Sequence, residues 1–285
     1  MMYETILNGL LLGGVYALMA QGMALVWGVM NVVNIAHGAL IVLGSYLTLW
    51  AFQYWGLDPI IAMPLSMVAL FVFGYIIQRT LINRVVRAEI FFTLLVTFGL
   101  EILMMNLMAW GWTVDPRRVN PSYSFSGFSF GPLTIPLVRL VTFFVAIAIT
   151  LLLFVFLQKT QTGRAIRATA QDLDAARLSG IPVVQIYGIT YGIGAALAAA
   201  AGSLMAMLSS FTPYSGGPFT LKSFVICVLG GLGNAWGPLV GGLVLGVVEE
   251  VSSRWLGSTY RDAVSFGLLV LILLVRPSGL LGRRE

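Results

Sequence analysis

The polar residues of this chain gather in a few short breaks between long apolar runs. The first run is Ile6–Val29, where Gly9, Gly13 and Ala17 fall four apart on one helix face, a spacing that admits a close neighbouring helix. Asn31-Val-Val-Asn34-Ile-Ala-His37-Gly38 interrupts the pattern, and Ala39–Trp50 resumes it. A Gly56-Leu-Asp58-Pro59 turn leads into Ile60–Ile77, which ends in Arg79, Arg84 and Arg87. Ile90–Trp110 is the next run and carries Glu101 and Asn106 inside it. Trp112–Pro136 has four Pro and the alternating stretch SYSFSGFSFG, which predicts a short hairpin or cap rather than a helix. Pro136–Leu157 follows and ends at Lys159. Ile186–Ser209 is rich in Gly and Ala, which places it at the centre of a helix bundle. Leu221–Leu229 and Pro238–Val251 are each too short to span a bilayer, and the Gly/Asn/Pro break Gly230–Pro238 lies between them. That pattern predicts a discontinuous or re-entrant element, since irregular backbone at membrane depth must be buried in protein or line a wet cavity. Tyr260–Val275 closes the series.

The longest polar interruption is Thr160–Pro182, TQTGRAIRATAQDLDAARLSGIP. Arg164, Arg167, Asp172, Asp174 and Arg177 stand on a base of Ala residues, and both Ala and Arg favour helix. Thr169-x-x-Asp172 predicts a cap for a second helical turn, and Gly180 followed by Pro182 predicts the stop. One short amphipathic helix, or two with a kink, therefore lies outside the bilayer. A solvated helical loop and a docking element for a soluble partner both fit this pattern.

Composition turns the apolar runs into a class. Of the 285 residues, 59% are hydrophobic and 9% are charged, against roughly 25% charged in soluble domains. The chain reads as one all-α polytopic membrane domain over 1–285, with about eight transmembrane segments. The net charge is +5, and 14 of the 16 basic residues are Arg; in this class the excess reads as topology, not nucleic-acid binding. The lone Cys227 leaves no internal disulfide and no zinc cluster. The N-terminal run lacks a basic n-region and is long for a signal peptide, so it reads as a retained helix.

Ten of the 16 basic residues fall in 79–89, 159–177 and 276–284, which places these loops in the cytoplasm and the N-terminus outside. The coupling-type loop 159–185 is then internal and the 112–136 loop external. A re-entrant 221–251 plus one full span satisfies this orientation; a single broken span would leave the Arg-rich tail outside. The first and sixth spans run in opposite directions, and each is Gly-rich and followed by an Asn/Gly-interrupted element. That layout points to an inverted repeat.

Three function classes fit: the membrane subunit of an ATP-driven transporter, a self-sufficient channel or secondary carrier, and an intramembrane enzyme. The sequence has no His-Glu-x-x-His, no G-x-S-x-G and no P-loop, which weighs against the enzyme and against ATP binding on this chain. A secondary carrier keeps intramembrane ionisable groups for ion coupling, and only Glu101 and His37 are candidates. Glu101 reads first as a group paired across helices and alternatively as part of a transport route. His37 reads as a neutral hydrogen-bonder that fixes a helix break, with proton handling as the alternative and no second ligand nearby for a metal.

The segments NVVNIAHGALIVLGSYL, LLVTFGLEILMMN, GRAIRATAQDLDAARLSGI, VLGGLGNAWGPLVGG and RPSGLLGR, in that order, resemble the permease subunits of branched-chain amino acid ABC importers, specifically the "H" branch. The resemblance covers essentially the whole chain. It implies a bacterial or archaeal cytoplasmic-membrane permease that moves solute by alternating access. It further implies a homologous second permease, two cytoplasmic ATPase subunits that carry ATP and Mg, and an extracytoplasmic solute-binding protein, with no cofactor on this chain. Relatives with similar motifs import urea or other amides. The segment from Gly163 to Gly180 aligns with the family's coupling loop, which puts Arg164, Arg167, Asp172, Leu173, Asp174, Arg177 and Gly180 at the ATPase interface. The two polar breaks supply a candidate route: Asn34, His37, Gly231, Gly233 and Asn234, where small residues and amides let backbone approach a solute.

Overall fold

The structure, a computed structural model, describes residues 2–86, 88–130, 133–231, 233, 236–276 and 279–281. It is a bundle of long helices: α1 (Met2–Met30), α2 (His37–Trp55), α3 (Pro59–Ile77), α5 (Ile90–Trp112), α6 (Leu137–Lys159), α9 (Val183–Leu208), α10 (Gly216–Gly230), α11 (Gly237–Leu256) and α12 (Arg261–Val275). A π-helical turn, Gln78–Ile82, and the short α4 (Asn83–Val85) prolong α3. Two short helices, α7 (Gln161–Gln171) and α8 (Leu173–Leu178), lie between α6 and α9. Among the described residues six helices are long and apolar enough to cross a membrane: α1, α3 with its extension, α5, α6, α9 and Ser258–Val275. The chain is thus a polytopic all-α protein. The expected hairpin also forms, as strands β1 (Gly127–Phe130) and β2 (Leu133–Pro136) paired antiparallel.

α1 and α9 form the centre because they carry no bulk on their contact faces. A Cβ on Gly22 would come within 2.6 Å of the Gly194 carbonyl oxygen, so only glycine permits that crossing. α11 runs antiparallel along α1, with Gly13 against Gly242 and Gly9 against Gly246. α3 runs antiparallel along α9, with Gly74 against Ala195 and Tyr75 against Gly188. α2 bonds α9 through Ser45 Oγ to the Gly202 carbonyl at 2.8 Å, and α10 bonds α1 through Cys227 Sγ to the Ala20 carbonyl at 3.3 Å. The α1–α11 contact is thus matched by α9–α3, and α2–α9 by α10–α1, with the two triplets running in opposite directions, which is the layout of an inverted repeat.

The repeat pairs different breaks from those the sequence suggested. The expected partner of Asn31–Gly38 was Gly230–Pro238. In the structure its partner is 209–215, because Gly38 at the start of α2 meets Gly216 at the start of α10. Gly230–Pro238 is instead the tip of the α10–α11 hairpin, the counterpart of the Gly56–Asp58 turn between α2 and α3. The physical reason is local. Thr212 and Ser215 form a capping box around Pro213, so α10 begins five residues before Leu221. Gly216, Gly217 and Pro218 read as helix breakers, yet all three are tolerated in a first turn.

Candidate coupling surface and translocation route

The end of the bundle that carries Met30, α4 and the α10–α11 tip also carries α7 and α8. Thr160 caps α7 by accepting from the Gly163 amide at 2.9 Å. Gly163, Ile166 and Thr169 are buried at i, i+3 and i+6, so one face of α7 is fixed to the bundle. Gly163 leaves no room for a Cβ against the Phe156 and Leu157 backbone of α6. Arg164 and Arg167 are exposed beside that face.

The second cap differs from the sequence expectation. Asp172 itself caps α8, accepting from the Asp174 and Ala175 amides at 2.9 Å each. Thr169 lies inside α7 and donates to the Ala165 carbonyl, so it has no capping role. Asp174 pairs with Arg177 at 3.0 Å on the surface, a contact worth about 0–1 kcal/mol. Gly180 ends the element at φ +78°, a left-handed conformation that favours glycine. Ala176 is buried and Leu173 packs half-buried against the core. Leu178, which sequence reasoning passed over, is 91% exposed. Its signal was its position: an apolar residue on a charged helix, two before the stop.

The other candidates fall at two separate places. Asn31 takes φ +53°, which breaks α1 after Met30, and the chain then runs irregularly into a turn at Ile35–Ala36 that leads into α2. His37 Nε2 lies 2.8 Å from the Met19 carbonyl, roughly midway along α1, so the nitrogen donates there. The Thr220 hydroxyl of α10 accepts from the Gly38 amide and donates to the Ile35 carbonyl, both at 2.8 Å. The Thr97 hydroxyl of α5, also bonded within its own helix, lies 3.2 Å from the Val33 carbonyl. The backbone of this break is therefore stitched by α5 and α10, as buried irregular backbone requires. Asn34 is fully buried, and its Oδ1 has no protein partner among the described residues.

Gly231 and Gly233, at φ +99° and +84°, sit at the hairpin tip beside α7. Asn234 lies outside the described residues. Gly233 lines an apolar cavity of about 280 Å³ together with Gln21, Trp236 and Arg167. Trp236 stacks on Phe154 there with ring centres 4.0 Å apart. A more polar cavity of about 390 Å³ lies at the same end, among Asn31, Thr93, Gln171 and Tyr187. The structure thus does not bring Gly231 and Gly233 together with Asn34 and His37.

The carboxylates divide in an unexpected way. Glu249 on α11 is fully buried and accepts from the Tyr16 hydroxyl at 2.7 Å, the Ser265 hydroxyl and Lys222. Lys222 Nζ lies 3.1 Å from both Glu249 and Asp262. Glu250 pairs with Arg139 and Arg261 at 3.0 Å each. Sequence reasoning missed this network, although Lys222 is a single cation inside an apolar run and Glu249 the acid across the hairpin. Glu101, expected to pair across helices, makes no ion pair or hydrogen bond among the described residues. Asn106 donates within its own helix to the Ile102 carbonyl at 2.8 Å.

Comparison with known proteins bears on the whole chain. The family described as "Branched-chain amino acid transport system / permease component" matches residues 5–273. The chain is 35% identical over 301 residues to LivH of Escherichia coli K12, a "High-affinity branched-chain amino acid transport system permease protein", covering 99% of this chain and 96% of LivH. It is 25% identical over 296 residues to LivM of Salmonella typhimurium, a permease protein of the same description, covering 94% of this chain and 68% of LivM. Among solved structures, "PsaBC from Streptococcus pneumoniae in complex with Fab" superimposes with a TM-score of 0.55 at 11% identity, covering 95% of this chain and 91% of that one. That last likeness concerns the fold alone.

Proposed function

Because this chain belongs to the branched-chain amino acid transport system permease family, we propose that it passes branched-chain or related aliphatic amino acids into the cytoplasm by alternating access, as the membrane subunit of an ATP-driven importer. It is a multi-pass inner-membrane protein and not itself an enzyme. In this reading a homologous second permease completes the translocation unit, and the similarity to both LivH and LivM supports a pair of related chains. Two cytoplasmic ATPase subunits supply ATP and Mg chemistry, and an extracytoplasmic binding protein delivers solute. Loop 159–185 faces the cytoplasm and loop 112–136 faces outside.

The observation that supports this reading is the pair of short helices α7 and α8 fixed against one end of the bundle. Force from another chain can enter only through a surface held at both ends. α7 is seated by Gly163 and Ile166, α8 is capped by Asp172, and Gly180 fixes the exit. Leu178 offers an exposed apolar knob, and Arg164 and Arg167 offer charge to an acidic groove. Asp172 and Asp174 hold the element's shape more than they reach outward.

The test is co-purification of the chain with its neighbouring subunits, followed by solute-stimulated ATP hydrolysis. Leu178→Asp, Leu173→Asp and Gly180→Val each lower that stimulation while the complex still assembles; unchanged stimulation in all three contradicts the assignment. With Cys227→Ser as background, cysteines introduced at Ser122 and Ser258 react with an impermeant thiol reagent from outside, and one at Gln161 does not. Labelling at Gln161 from outside reverses the orientation. Delivery of urea or an amide in place of leucine would move the chain to another solute within the family.

A further inference from the structure

A carboxylate in the middle of a membrane span is costly unless something answers its charge. Glu101 is residue 12 of the 23 in α5, which is mid-span. No side chain among the described residues bonds it. The acids of α11 and α12, Glu249, Glu250 and Asp262, each have a cation at 3.0–3.1 Å. Glu101 therefore differs from them in kind.

Its surroundings describe what would answer it. The buried face of α5 is Thr93, Thr97, Leu100, Met104 and Met108, and Glu101 stands half-buried at the edge of that face. It looks across to the first turn of α10: a Cβ built on Gly217 would lie 3.8 Å from Glu101 Oε1. Further along α10 and just before it, Leu221 and Tyr214 are exposed, and so is Pro218. The result is a surface shared by α5 and the start of α10. It has one anionic group, a strip without side-chain charge and an apolar stretch. The same two helices bond the α1–α2 break, through Thr97 to the Val33 carbonyl and Thr220 to the Ile35 carbonyl.

We infer that Glu101 receives the α-ammonium of an aliphatic amino acid as it crosses, with Tyr214, Pro218 and Leu221 against the apolar side chain. This rests on the amino-acid reading above. One half-exposed charged contact suits passage, because a solvated pair is weak and releases readily. The site is a transit contact, and its chemistry selects a cationic amine next to an apolar body.

The experiment uses the full complex of this chain with its partner subunits in lipid nanodiscs and proteoliposomes, on the Cys227→Ser background. Glu101→Cys is treated with a water-borne, trimethylammonium-bearing thiol reagent. Modification, and protection from it during leucine transport, is the expected result. In proteoliposomes Glu101→Gln lowers leucine delivered per ATP hydrolysed about tenfold, the loss of one charge-assisted contact, and Glu101→Asp restores part of it. Three outcomes overturn the inference. The introduced thiol reacts only with a lipid-soluble maleimide, so the position faces lipid. Glu101→Gln transports as the parent does. Or Glu101→Gln loses the second permease on purification, so the carboxylate is a subunit contact. If the parent complex moves no amino acid at all, the functional reading fails, and labelling by the cationic reagent still decides whether Glu101 lines an aqueous path.

Discussion

Glu249 and Glu101 are two acids of one membrane bundle with opposite treatment. Glu249 has no exposed surface and is answered by Lys222, Tyr16 and Ser265 from three other helices. Glu101 is half-exposed and answered by no side chain among the described residues. Asp58, at the membrane end of α3, stands between them: it caps Ile60 and accepts from Tyr123 at 3.2 Å, but stays partly open. Where the fold needs a charge for architecture, it encloses the charge and pairs it completely. Where a charge is left open at mid-span, the architecture does not need it. The contrast separates the groups that hold the α10–α11 hairpin and α12 to α1 from the group available to a solute.

The largest effect expected lies in the sealed network. Lys222→Met leaves the fully buried Glu249 without its cation and costs about 3–5 kcal/mol; Glu249→Leu leaves Lys222 its Asp262 partner and costs less. Thermal unfolding of the purified chain in nanodiscs reads this, and the double replacement recovers most of the loss. Equal stability of the single and double variants would break the comparison. Tyr123→Phe, at the intermediate acid, costs about 1 kcal/mol through one hydrogen bond. Burial and the Asp58 carboxylate push the Tyr123 hydroxyl up. Its folded pKa lies above the unfolded value, so this contribution is constant below about pH 10, the unperturbed tyrosine value, and is lost only in stronger alkali. A loss that appears near neutral pH would place the contribution elsewhere. Glu101→Gln has the smallest effect on stability, within about 0.5 kcal/mol. A melting shift as large as that of Glu249→Leu would show that Glu101 is structural after all.

Most of the architecture was legible because lipid enforces it. Apolar runs of span length, the Gly stripe of α1, the polar stretch 160–182 with its Gly180 stop, and the Ser/Phe alternation whose second part became β1 are local signals. What was not legible depends on distant partners. The meeting of Gly216, at the start of α10, with Gly38 joins residues far apart in the chain, and no window around Pro218 reveals it. Lys222 meets Glu249 only once the hairpin closes. Thr169 and Asp172 both suit a cap, and burial of Thr169 against the bundle decided for Asp172. For the candidate route, Asn34 and His37 were recognisable as polar groups in an apolar setting, but their separation from Gly233 is a tertiary fact. Glu101 was visible from the start, while its lack of a partner among the described residues was not.

The most direct measurement is uptake of labelled leucine into proteoliposomes containing this chain, its second permease, the ATPase subunits and the binding protein. The account predicts accumulation only with Mg-ATP and binding protein present, and its loss when the ATPase subunits are omitted. Leucine accumulation by this chain without ATPase subunits, driven by an ion gradient, would make it a self-sufficient carrier and contradict the account.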